Sequence, residues 1–261
     1  MEKLKLGILG CGYLSNIVVD AYNNGLLADY EIVGVLGRSR AASEEMAAKA
    51  GCKAYETIEE LLAQKPDYIA EAASGQAVRD YAETILASGC NFAVLSIGAF
   101  ADQEFYERVI ETAKQHGTKV HIASGAIGGF DVLRTVSLMG TVTSGIETRK
   151  GPASLKGTPL FEEHLMSDGE TSHVFEGNAK KAISLLPTKV NVAVATALAT
   201  AGAEKTSVNI YSVPGMAGDD HKITAEIDGI KAVVDIYSRT SEIAGWSIVA
   251  LLRNLVSPIM F

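Results

Sequence analysis

Strand-like apolar segments alternate with helical segments over the first 124 residues, and this alternation constrains the fold more than any other feature. Strands are predicted at 4–9, 30–37, 67–73, 91–98 and 119–124, and helices at 13–25, 41–51, 57–64, 77–89 and 102–117. Thr57 is the predicted N-cap of the third helix, with Glu60 at the capping-box position. Repeated strand–helix units of this length predict a parallel, doubly wound sheet.

The pattern becomes mixed after about residue 130. Strands are predicted at 144–152 and 209–215, helices at 176–186 and 191–202, and a hairpin over 220–238 with its turn at Asp228-Gly229. A final amphipathic helix is predicted over 241–256. We therefore expect a first domain over 1–124, an α+β substrate domain over 125–241, and a C-terminal helix within 242–261 that returns to the first domain.

A glycine pair in "GILGCGYLS" directly follows the first predicted strand. Gly10 allows a tight turn, and Gly12 lets the backbone approach a pyrophosphate at the helix N-terminus. Ser15 replaces the third glycine of the usual fingerprint and is small enough for close helix–strand packing. The motif predicts a Rossmann-type dinucleotide site and an α/β fold class, although a plain structural turn would give the same glycines.

The end of the second strand bears on which dinucleotide binds. Gly37 stands where NAD sites usually carry an acid for the ribose 2′-hydroxyl, and Arg38, Ser39 and Arg40 follow. A missing carboxylate removes repulsion of a 2′-phosphate, and arginine supplies a charged planar fork for it. NADP is therefore favoured and NAD is possible. The alternative is that both arginines are solvated loop charges.

Composition excludes several other classes. A net charge of −8 disfavours nucleic acid as a partner, and no apolar stretch approaches the roughly 18 residues of a membrane span. Cys11, Cys52 and Cys90 form no C-x-x-C pair and no zinc-type spacing, which indicates thiols of a cytoplasmic protein and no metal site. All three lie in the first third of the chain, so a catalytic-domain thiol nucleophile is also excluded.

A second glycine-rich stretch, "ASGAIGGFD" at 123–131, leaves the last strand of the predicted sheet. Open α/β sheets bind ligands at this end of their strands. We expect the loop to lie beside a nicotinamide ring or a carboxylate, with Gly128 as a position where a larger side chain interferes. An interdomain hinge is the alternative explanation, and both can hold together.

Several blocks of the sequence resemble the L-aspartate dehydrogenase family. They are "EAASGQAVRDYAE" at 71–83, "LSIGAFAD" at 95–102, "SGAIGGFD" at 124–131, "TRKGP" at 148–152, "FEGNAKKA" at 175–182 and "LPTKVNVAVATALA" at 186–199. The resemblance implies a Rossmann domain joined to an α+β substrate domain. It also implies interconversion of L-aspartate with oxaloacetate and ammonia through iminoaspartate, using NAD or NADP, a link to NAD biosynthesis, and a homodimer.

The same resemblance assigns residues. The family's active-site histidine corresponds to His221 in "DDHKI", and its nicotinamide contacts correspond to Ala126 and Asn191. Its P-K-T-S block corresponds to "SRTS" at 238–241. With the residues of the Rossmann loops, the candidate cofactor contacts are Gly10, Gly12, Tyr13, Leu14, Gly37, Arg38, Ser39, Ala73, Ser74, Ala126 and Asn191. The candidate substrate contacts are Lys189, Asn191, Arg239, Thr240 and Ser241.

The residue types fit that chemistry. Proton transfer at nitrogen and oxygen suits a histidine, and carboxylates need a cationic clamp, for which Lys150 is a further candidate. The other histidines are expected to be structural, at a helix end (His116) or in a core strand (His121), or to lie in an irregular surface region (His164 and His173). An exposed strand-end histidine is the alternative for His221, and helix N-capping is the alternative for Asn191.

Three substitutions depart from the family pattern. Asp219 replaces an asparagine, Lys222 replaces a glutamate, and Arg239 replaces a lysine. They leave open a related reductase of another small dicarboxylate or imine. A catalytically silent NADP-binding sensor is a third possibility, although such a protein is expected to lack the histidine.

Overall fold

The computed structural model describes residues 2–186 and 191–260 and divides into two compact units, 1–125 with 242–261, and 126–241. The first unit contains strands β1 (Leu4–Leu9), β2 (Tyr30–Leu36), β3 (Ala54–Tyr55), β4 (Tyr68–Glu71), β5 (Asn91–Val94) and β6 (Val120–Ile122). Its helices are α1 (Tyr13–Asn23), α2 (Arg40–Ala50), α3 (Ile58–Leu62), α4 (Gly75–Ala87), α5 (Gln103–His116) and α9 (Glu242–Val256), with a 3-10 helix at Ile97–Ala101.

The strands of the first unit form one parallel sheet in the order β3-β2-β1-β4-β5-β6. This order consists of two three-stranded halves that diverge from β1 and β4, where doubly wound sheets bind a dinucleotide across their carboxyl edge. The α/β fold class predicted from the sequence is confirmed.

The N-cap predicted for α3 is present, and α9 is anchored in the core of the first unit. The Thr57 hydroxyl accepts a hydrogen bond from the Glu60 backbone N–H at 3.3 Å, so Thr57 caps α3. Helix α9 packs against α1 and contributes Ile248 and Leu252 to the buried core beneath the sheet. The Tyr30 hydroxyl donates to the Leu252 carbonyl at 2.7 Å, which ties α9 to the start of β2.

The second unit is an α+β arrangement. Its strands are β7 (Thr143–Lys150), β8 (Ser172–Asn178), β9 (Thr206–Ser212), β10 (Asp219–Ile227) and β11 (Ile230–Ser238). Its helices are α6 (Phe130–Leu138), α7 (Ala179–Leu185) and α8 (Asn191–Ala199), with 3-10 helices at Pro152–Leu155 and Glu163–Met166. The sheet order is β11-β10-β7-β9-β8; β7 and β9 are parallel and the other neighbours are antiparallel.

Side-chain alternation gives this second sheet two different faces. Ile146, Ile223 and Val208 are buried on the face that carries α6, α7 and α8. The opposite face presents polar side chains such as Arg149 and Lys222, which are exposed. The pairing of Ile227 with Ile230 leaves Asp228-Gly229 as a two-residue turn, which confirms the predicted hairpin.

Several predicted boundaries are wrong. Strand β5 ends at Val94 rather than at 98, β9 spans Thr206–Ser212 rather than 209–215, and α8 ends at Ala199 rather than at 202. The sequence predicts a helix over 176–186, but Glu176–Asn178 belong to β8 and the helix begins at Ala179. The strand pairs with β9, and Asn178 caps α7 by accepting from the Lys181 N–H at 2.9 Å. Gly177 and Asn178 are poor helix formers, and pairing with β9 gives this segment its strand conformation. His173, predicted to lie in an irregular region, is therefore a strand residue.

Within residues 2–186 and 191–260, no helix is both long enough and apolar enough to cross a membrane. Over the same residues, no three histidine, cysteine or acidic side chains gather as a metal site requires.

Candidate active site

The first glycine loop is shaped by close backbone packing. Gly10 has φ +106°, and a β-carbon there would lie 2.7 Å from the Ala72 carbonyl oxygen. Gly12, at the N-cap of α1, has no atom within 4 Å of the position of a β-carbon. The loop is therefore packed tightly on its inner side at Gly10 and open at Gly12, as a pyrophosphate at a helix N-terminus requires.

The residues that follow differ in what they can offer a ligand. Ser15 is fully buried, as predicted for close helix–strand packing. The Leu14 side chain packs on the core of the first unit, so only its backbone can reach a phosphate. The Tyr13 hydroxyl donates to a carboxylate oxygen of Glu242 at 2.8 Å, so this side chain joins α1 to α9.

Gly37 has a steric explanation that the sequence does not reveal. A β-carbon at this position would lie 2.7 Å from the Cys11 Sγ and 2.9 Å from the Ser43 Oγ. An aspartate or glutamate therefore cannot stand at the end of β2 unless Cys11 and Ser43 move. Cys11 belongs to the glycine loop and Ser43 to α2, so a side chain at position 37 would have to displace both.

Arg38 and Arg40 have different surroundings. Arg40 forms ion pairs with Glu44, at 2.8 Å, and with Glu56. Arg38 is exposed, and no ion pair or hydrogen bond joins it to any of the described residues. Both arginines line an open hollow of ≈ 290 Å³ beside Gly37. Arg38 is the guanidinium that remains available there for an anion.

A buried carboxylate that the sequence analysis missed organises the next loops. Glu71 ends β4, has no exposed surface, and accepts a hydrogen bond from the Ala73 N–H at 2.7 Å. The predicted cofactor contact at Ala73 therefore has its N–H already engaged. Ser39 and Ser74 are the N-caps of α2 and α4, and their hydroxyls accept from backbone N–H groups at 3.4 and 3.1 Å.

The second glycine loop joins β6 to α6 and crosses the boundary between the two units, with Gly125 in the first and Ala126 in the second. Gly125 donates its N–H to the Ser247 hydroxyl at 3.0 Å. Gly129 has φ +68°, and a β-carbon there would lie 2.5 Å from Val234. At Gly128 the nearest atom would be 3.8 Å away, an ordinary contact, so packing requires glycine at Gly129 rather than at Gly128.

His221 lies on the buried face of β10 and is only 3% exposed, which rules out the alternative of an exposed strand-end histidine. Its Nδ1 is 3.0 Å from the Thr148 hydroxyl on the neighbouring strand β7. Two residues along each strand, Lys150 pairs with Asp219, and their side chains meet at 3.4 Å. The antiparallel register thus places an imidazole, an ammonium group and a carboxylate on one face.

The charge state of His221 follows from these surroundings. Burial lowers its pKa to about 4; the Asp219 carboxylate opposes this shift and the Lys150 ammonium adds to it. The Lys222 side chain, in contrast, is exposed on the opposite face and lies 3.9 Å from Asp235. Of the departures from the family pattern, Asp219 therefore adjoins the histidine and Lys222 does not.

The lowered pKa predicts how stability depends on pH. The unfolded chain protonates His221 near its ordinary pKa of 6.5, whereas the folded chain does so only near 4, so the unfolded state binds more protons between these values. The stability advantage of wild type over a His221→Asn variant should be constant above pH 6.5 and shrink as the pH falls toward 4. Urea unfolding of both proteins from pH 8 to pH 4 measures it. A constant difference over the whole range would contradict a buried neutral imidazole.

A small cavity of ≈ 30 Å³ adjoins this group. Thr148, Lys150, Ser154 and Thr158 supply its polar lining, and Leu155 with side chains from α7, α8 and β9 supply the apolar part. Its volume suits about one water molecule. It is a largely apolar hollow next to Thr148 and Lys150 rather than a complete substrate pocket.

The other residues predicted to contact cofactor or substrate are exposed or half-buried, or lie outside the described residues. Arg239, Thr240 and Ser241 are exposed and follow β11, whose last residue pairs with Asp219. They therefore leave the sheet at the end that carries Lys150. Asn191 is the first residue of α8 and is exposed, Ala126 is half-buried in its loop, and Lys189 lies outside the described residues.

The other histidines and the cysteines have structural surroundings. His116 ends α5, and His121 lies in β6 against the Tyr68 ring. The His173 ring is exposed and stacks on Tyr211 at 4.5 Å, and His164 is exposed beside two carboxylates. Burial raises the pKa of Cys52 to about 11 and of Cys90 to about 12, and it also raises the pKa of Cys11, which disfavours reactive thiolates.

Comparison with known proteins covers both units. Residues 10–123 match the family described as "Homoserine dehydrogenase, NAD binding domain", and residues 131–255 match "Aspartate dehydrogenase, C-terminal". Two proteins named L-aspartate dehydrogenase, from Methanosarcina mazei and Methanosarcina acetivorans, are 32% and 34% identical to this chain, with 98% of each sequence covered. The crystal structure of aspartate dehydrogenase from Thermotoga maritima aligns with a TM-score of 0.80 at 29% identity and 99% coverage of both chains.

These matches agree with the sequence resemblance in both units. A relative more than 30% identical over nearly the full length of both chains shares its fold and its family. Nicotinamide-dinucleotide binding is supported by the family match over the first unit and by the open glycine loop at Gly12. This chain belongs to the L-aspartate dehydrogenase family.

Proposed function

We propose that this chain is an NAD(P)-dependent oxidoreductase that interconverts L-aspartate with iminoaspartate, and thereby with oxaloacetate and ammonia. The observation that carries the proposal is the His221 group, in which a buried imidazole bonded to Thr148 lies beside Lys150 and Asp219. It belongs to a chain whose full-length relatives are named L-aspartate dehydrogenase. Family membership and site chemistry thus support the same reaction.

The first unit is proposed to hold the dinucleotide. The N–H groups at the start of α1 and the open side of Gly12 fit a pyrophosphate, because a ligand can approach the backbone there without meeting a side chain. The bound dinucleotide supplies the hydride acceptor or donor. The proposed contacts remain Gly10, Gly12, Tyr13, Leu14, Gly37, Arg38, Ser39, Ala73, Ser74, Ala126 and Asn191, with Leu14 acting through its backbone and Ala73 through groups other than its N–H.

The second unit is proposed to handle protons and carboxylates. In aspartate oxidation, the neutral His221 imidazole accepts a proton from the substrate ammonium group, which frees the nitrogen lone pair to assist hydride departure from Cα. After that proton has passed to solvent, the neutral imidazole takes a proton from the water that adds to the imine carbon and returns it to the nitrogen that leaves as ammonia. Donation from Nδ1–H to Thr148 would leave Nε2 free for both steps. A dicarboxylate bound nearby raises the pKa of the imidazole toward neutrality.

The substrate carboxylates need cations. Lys150 is largely buried beside Asp219, so one negative charge already faces it. We propose that Lys150 orients one carboxylate, and that Lys189, Asn191, Arg239, Thr240 and Ser241 complete the binding site. The amine and both carboxylates of aspartate would then each have a polar partner.

NADP is the proposed preferred dinucleotide, with NAD also accepted. Arg38 is unpaired among the described residues, and the packing of Cys11 against Gly37 excludes the acid that would repel a 2′-phosphate. Arg38→Ala should weaken NADPH binding by about 1.5–3 kcal/mol, because it removes a charge-assisted hydrogen bond, and should affect NADH much less. Fluorescence titration with each dinucleotide measures this. Arg40→Ala is the matched control, since Arg40 is already paired with two glutamates.

Equal losses for NADPH and NADH in the Arg38→Ala variant would contradict the proposed preference. A larger effect on NADPH from Arg40→Ala than from Arg38→Ala would move the phosphate contact to Arg40.

An absorbance assay tests the reaction itself. The purified protein is mixed with reduced dinucleotide, ammonium and each of a panel of 2-oxo acids, and loss of absorbance at the nicotinamide band is followed. Ammonium-dependent oxidation with oxaloacetate, faster than with the other oxo acids, is expected. Turnover only with a different oxo acid would make this a related reductase. Tight binding without any turnover would make it a silent sensor, which the retained His221 disfavours.

The proposal includes the setting of the enzyme. We place it in the cytoplasm and as a homodimer, as the family resemblance implies, with small dicarboxylates and ammonia as its partners and with no role for nucleic acid or membrane. Sedimentation equilibrium of the purified chain measures the oligomeric state.

A further inference from the structure

Glu71 is a buried carboxylate whose side-chain oxygens accept four hydrogen bonds. It is the last residue of β4 and is fully buried. Its Oε1 accepts from the Ala73 N–H at 2.7 Å and from the Ser96 hydroxyl at 2.7 Å. Its Oε2 accepts from the backbone N–H groups of Leu95, at 3.1 Å, and of Ser96, at 2.9 Å. Burial raises the pKa of Glu71, and these hydrogen bonds oppose that shift.

The four bonds join two loops at the carboxyl edge of the sheet. Ala73 belongs to the loop between β4 and α4, whereas Leu95 and Ser96 follow β5. Burying a carboxylate costs free energy unless its oxygens accept hydrogen bonds. A carboxylate buried at this point indicates that the two loops must be held in fixed positions. Neighbouring strands alone would not fix the loops that extend beyond them.

The same loop also supports the phosphate-binding turn. A β-carbon on Gly10 would lie 2.7 Å from the Ala72 carbonyl oxygen and 2.9 Å from the Ala73 nitrogen. The Ala72–Ala73 peptide is thus packed against Gly10 on one side and anchored to Glu71 on the other. Glu71 therefore supports the loop that lies where the two halves of the sheet meet.

We propose that Glu71 is a positioning residue whose carboxylate holds the loops after β4 and β5 in the shape that receives the nicotinamide half of the dinucleotide. The inference rests on the proposed dinucleotide-dependent function. In this strand order one mononucleotide half binds over β1–β3 and the other over β4–β6. Arg38 lies after β2 and serves the adenosine half, so the half organised by Glu71 takes the nicotinamide.

The isosteric variant Glu71→Gln should remove one hydrogen bond in particular, the one that the Ala73 N–H donates to Glu71. The Leu95 and Ser96 N–H groups can only donate, so the amide oxygen must face them and the amide NH₂ must take the place of Oε1. There the Ser96 hydroxyl can turn to accept, but the Ala73 N–H meets another donor. Glu71→Gln should therefore release Ala73 while keeping the shape of the side chain.

The test compares a whole dinucleotide with its adenosine half. Calorimetry measures the affinity of the full-length protein for reduced dinucleotide and for the matching adenosine fragment, adenosine 2′,5′-bisphosphate for NADPH or 5′-ADP for NADH. Glu71→Gln should lower dinucleotide affinity by about tenfold or more, the effect of one buried unsatisfied donor, and lower kcat as well. Affinity for the fragment should fall much less, because its phosphates meet the glycine loop, which the Ala72–Ala73 peptide only packs against.

Two further variants keep the result interpretable. Tyr30→Phe removes a buried hydrogen bond at the start of β2, at the amino ends of the strands of the same sheet. It should therefore change the affinities for dinucleotide and fragment alike, or change neither. Ser96→Ala removes one of the four donors to Glu71 and should show the same selective loss, in weaker form, even if Glu71→Gln fails to fold.

Unchanged dinucleotide affinity in a folded Glu71→Gln protein, or equal losses for dinucleotide and fragment, would overturn the inference. If Glu71→Gln does not fold, a Ser96→Ala protein without a selective loss would overturn it. A wild-type protein that binds neither reduced dinucleotide would overturn the proposed function and this inference together. Selective loss of dinucleotide affinity supports the positioning role.

Discussion

Replacing His221 with asparagine lowers kcat by about 10²–10⁴-fold, the usual size of a general acid–base contribution, and leaves dinucleotide affinity nearly unchanged. The imidazole is buried against Thr148 and is neutral at pH 7, so it is ready to accept the proton that leaves the substrate nitrogen. Asparagine retains a polar group that can bond to Thr148 but cannot exchange a proton in this way. Steady-state kinetics at saturating dinucleotide measure kcat, and calorimetry measures dinucleotide affinity.

His173→Asn and His164→Asn are the matched controls. Both histidines are exposed, and neither shares the buried face of His221, so both variants should turn over like wild type. Wild-type kcat in a folded His221→Asn protein would show that the assignment is wrong. Loss of activity in either control would then identify the next candidate.

Gly12→Ala abolishes most dinucleotide binding without destabilising the fold. A β-carbon at Gly12 meets no protein atom within 4 Å, so the methyl group extends only into the space proposed for the pyrophosphate. Crowding of a packed contact costs about 1–3 kcal/mol, which corresponds to roughly one to two powers of ten in affinity. Thermal unfolding and calorimetric titration of the same sample separate the two effects.

Gly140→Ala is the matched control for this substitution. A β-carbon at Gly140 likewise meets no atom within 4 Å, and Gly140 follows α6 in the second unit. Its alanine variant should retain both stability and dinucleotide affinity. Native dinucleotide affinity in Gly12→Ala would place the pyrophosphate elsewhere.

The parts of the fold that could be predicted from the sequence rest on local signals. The parallel sheet of the first unit follows from strands and helices that alternate along the chain, and the Thr57 cap and the Asp228-Gly229 turn each depend on a few adjacent residues. The sequence predicts a helix over Glu176–Asn178, because their strand conformation depends on pairing with β9, which lies about 30 residues away in the chain.

The candidate site is harder to predict from the sequence, because the register between paired strands brings its residues together. Thr148 and His221 are 73 residues apart, and only the pairing of β7 with β10 brings them together. The same pairing separates Asp219, beside Lys150, from Lys222 on the opposite face. Glu71 did leave a signal, since a carboxylate at the end of the apolar segment "DYIAEAA" must either reach solvent or find donors.

The steric relation at Gly37 had no such signal. The missing acid is visible in the sequence, but the contact with Cys11 depends on the path of the glycine loop beside the end of β2. Arg38 and Arg40 likewise look similar in "GRSR". The i,i+4 spacing of Arg40 and Glu44 on α2 is a local signal for their ion pair, but the contact of Arg40 with Glu56 is not. The contacts with Cys11 and with Glu56 are tertiary, and spacing along the chain does not encode them.

Isotope transfer tests the central claim most directly. The protein is incubated with oxaloacetate, ¹⁵N-ammonium and reduced dinucleotide deuterated at C4 of the nicotinamide, and the product is examined by NMR and mass spectrometry. The proposed reaction predicts L-aspartate that carries ¹⁵N at the amine and, for the transferred face, deuterium at Cα. Malate that carries deuterium but no ¹⁵N, or no labelled product at all, would contradict reductive amination by this chain.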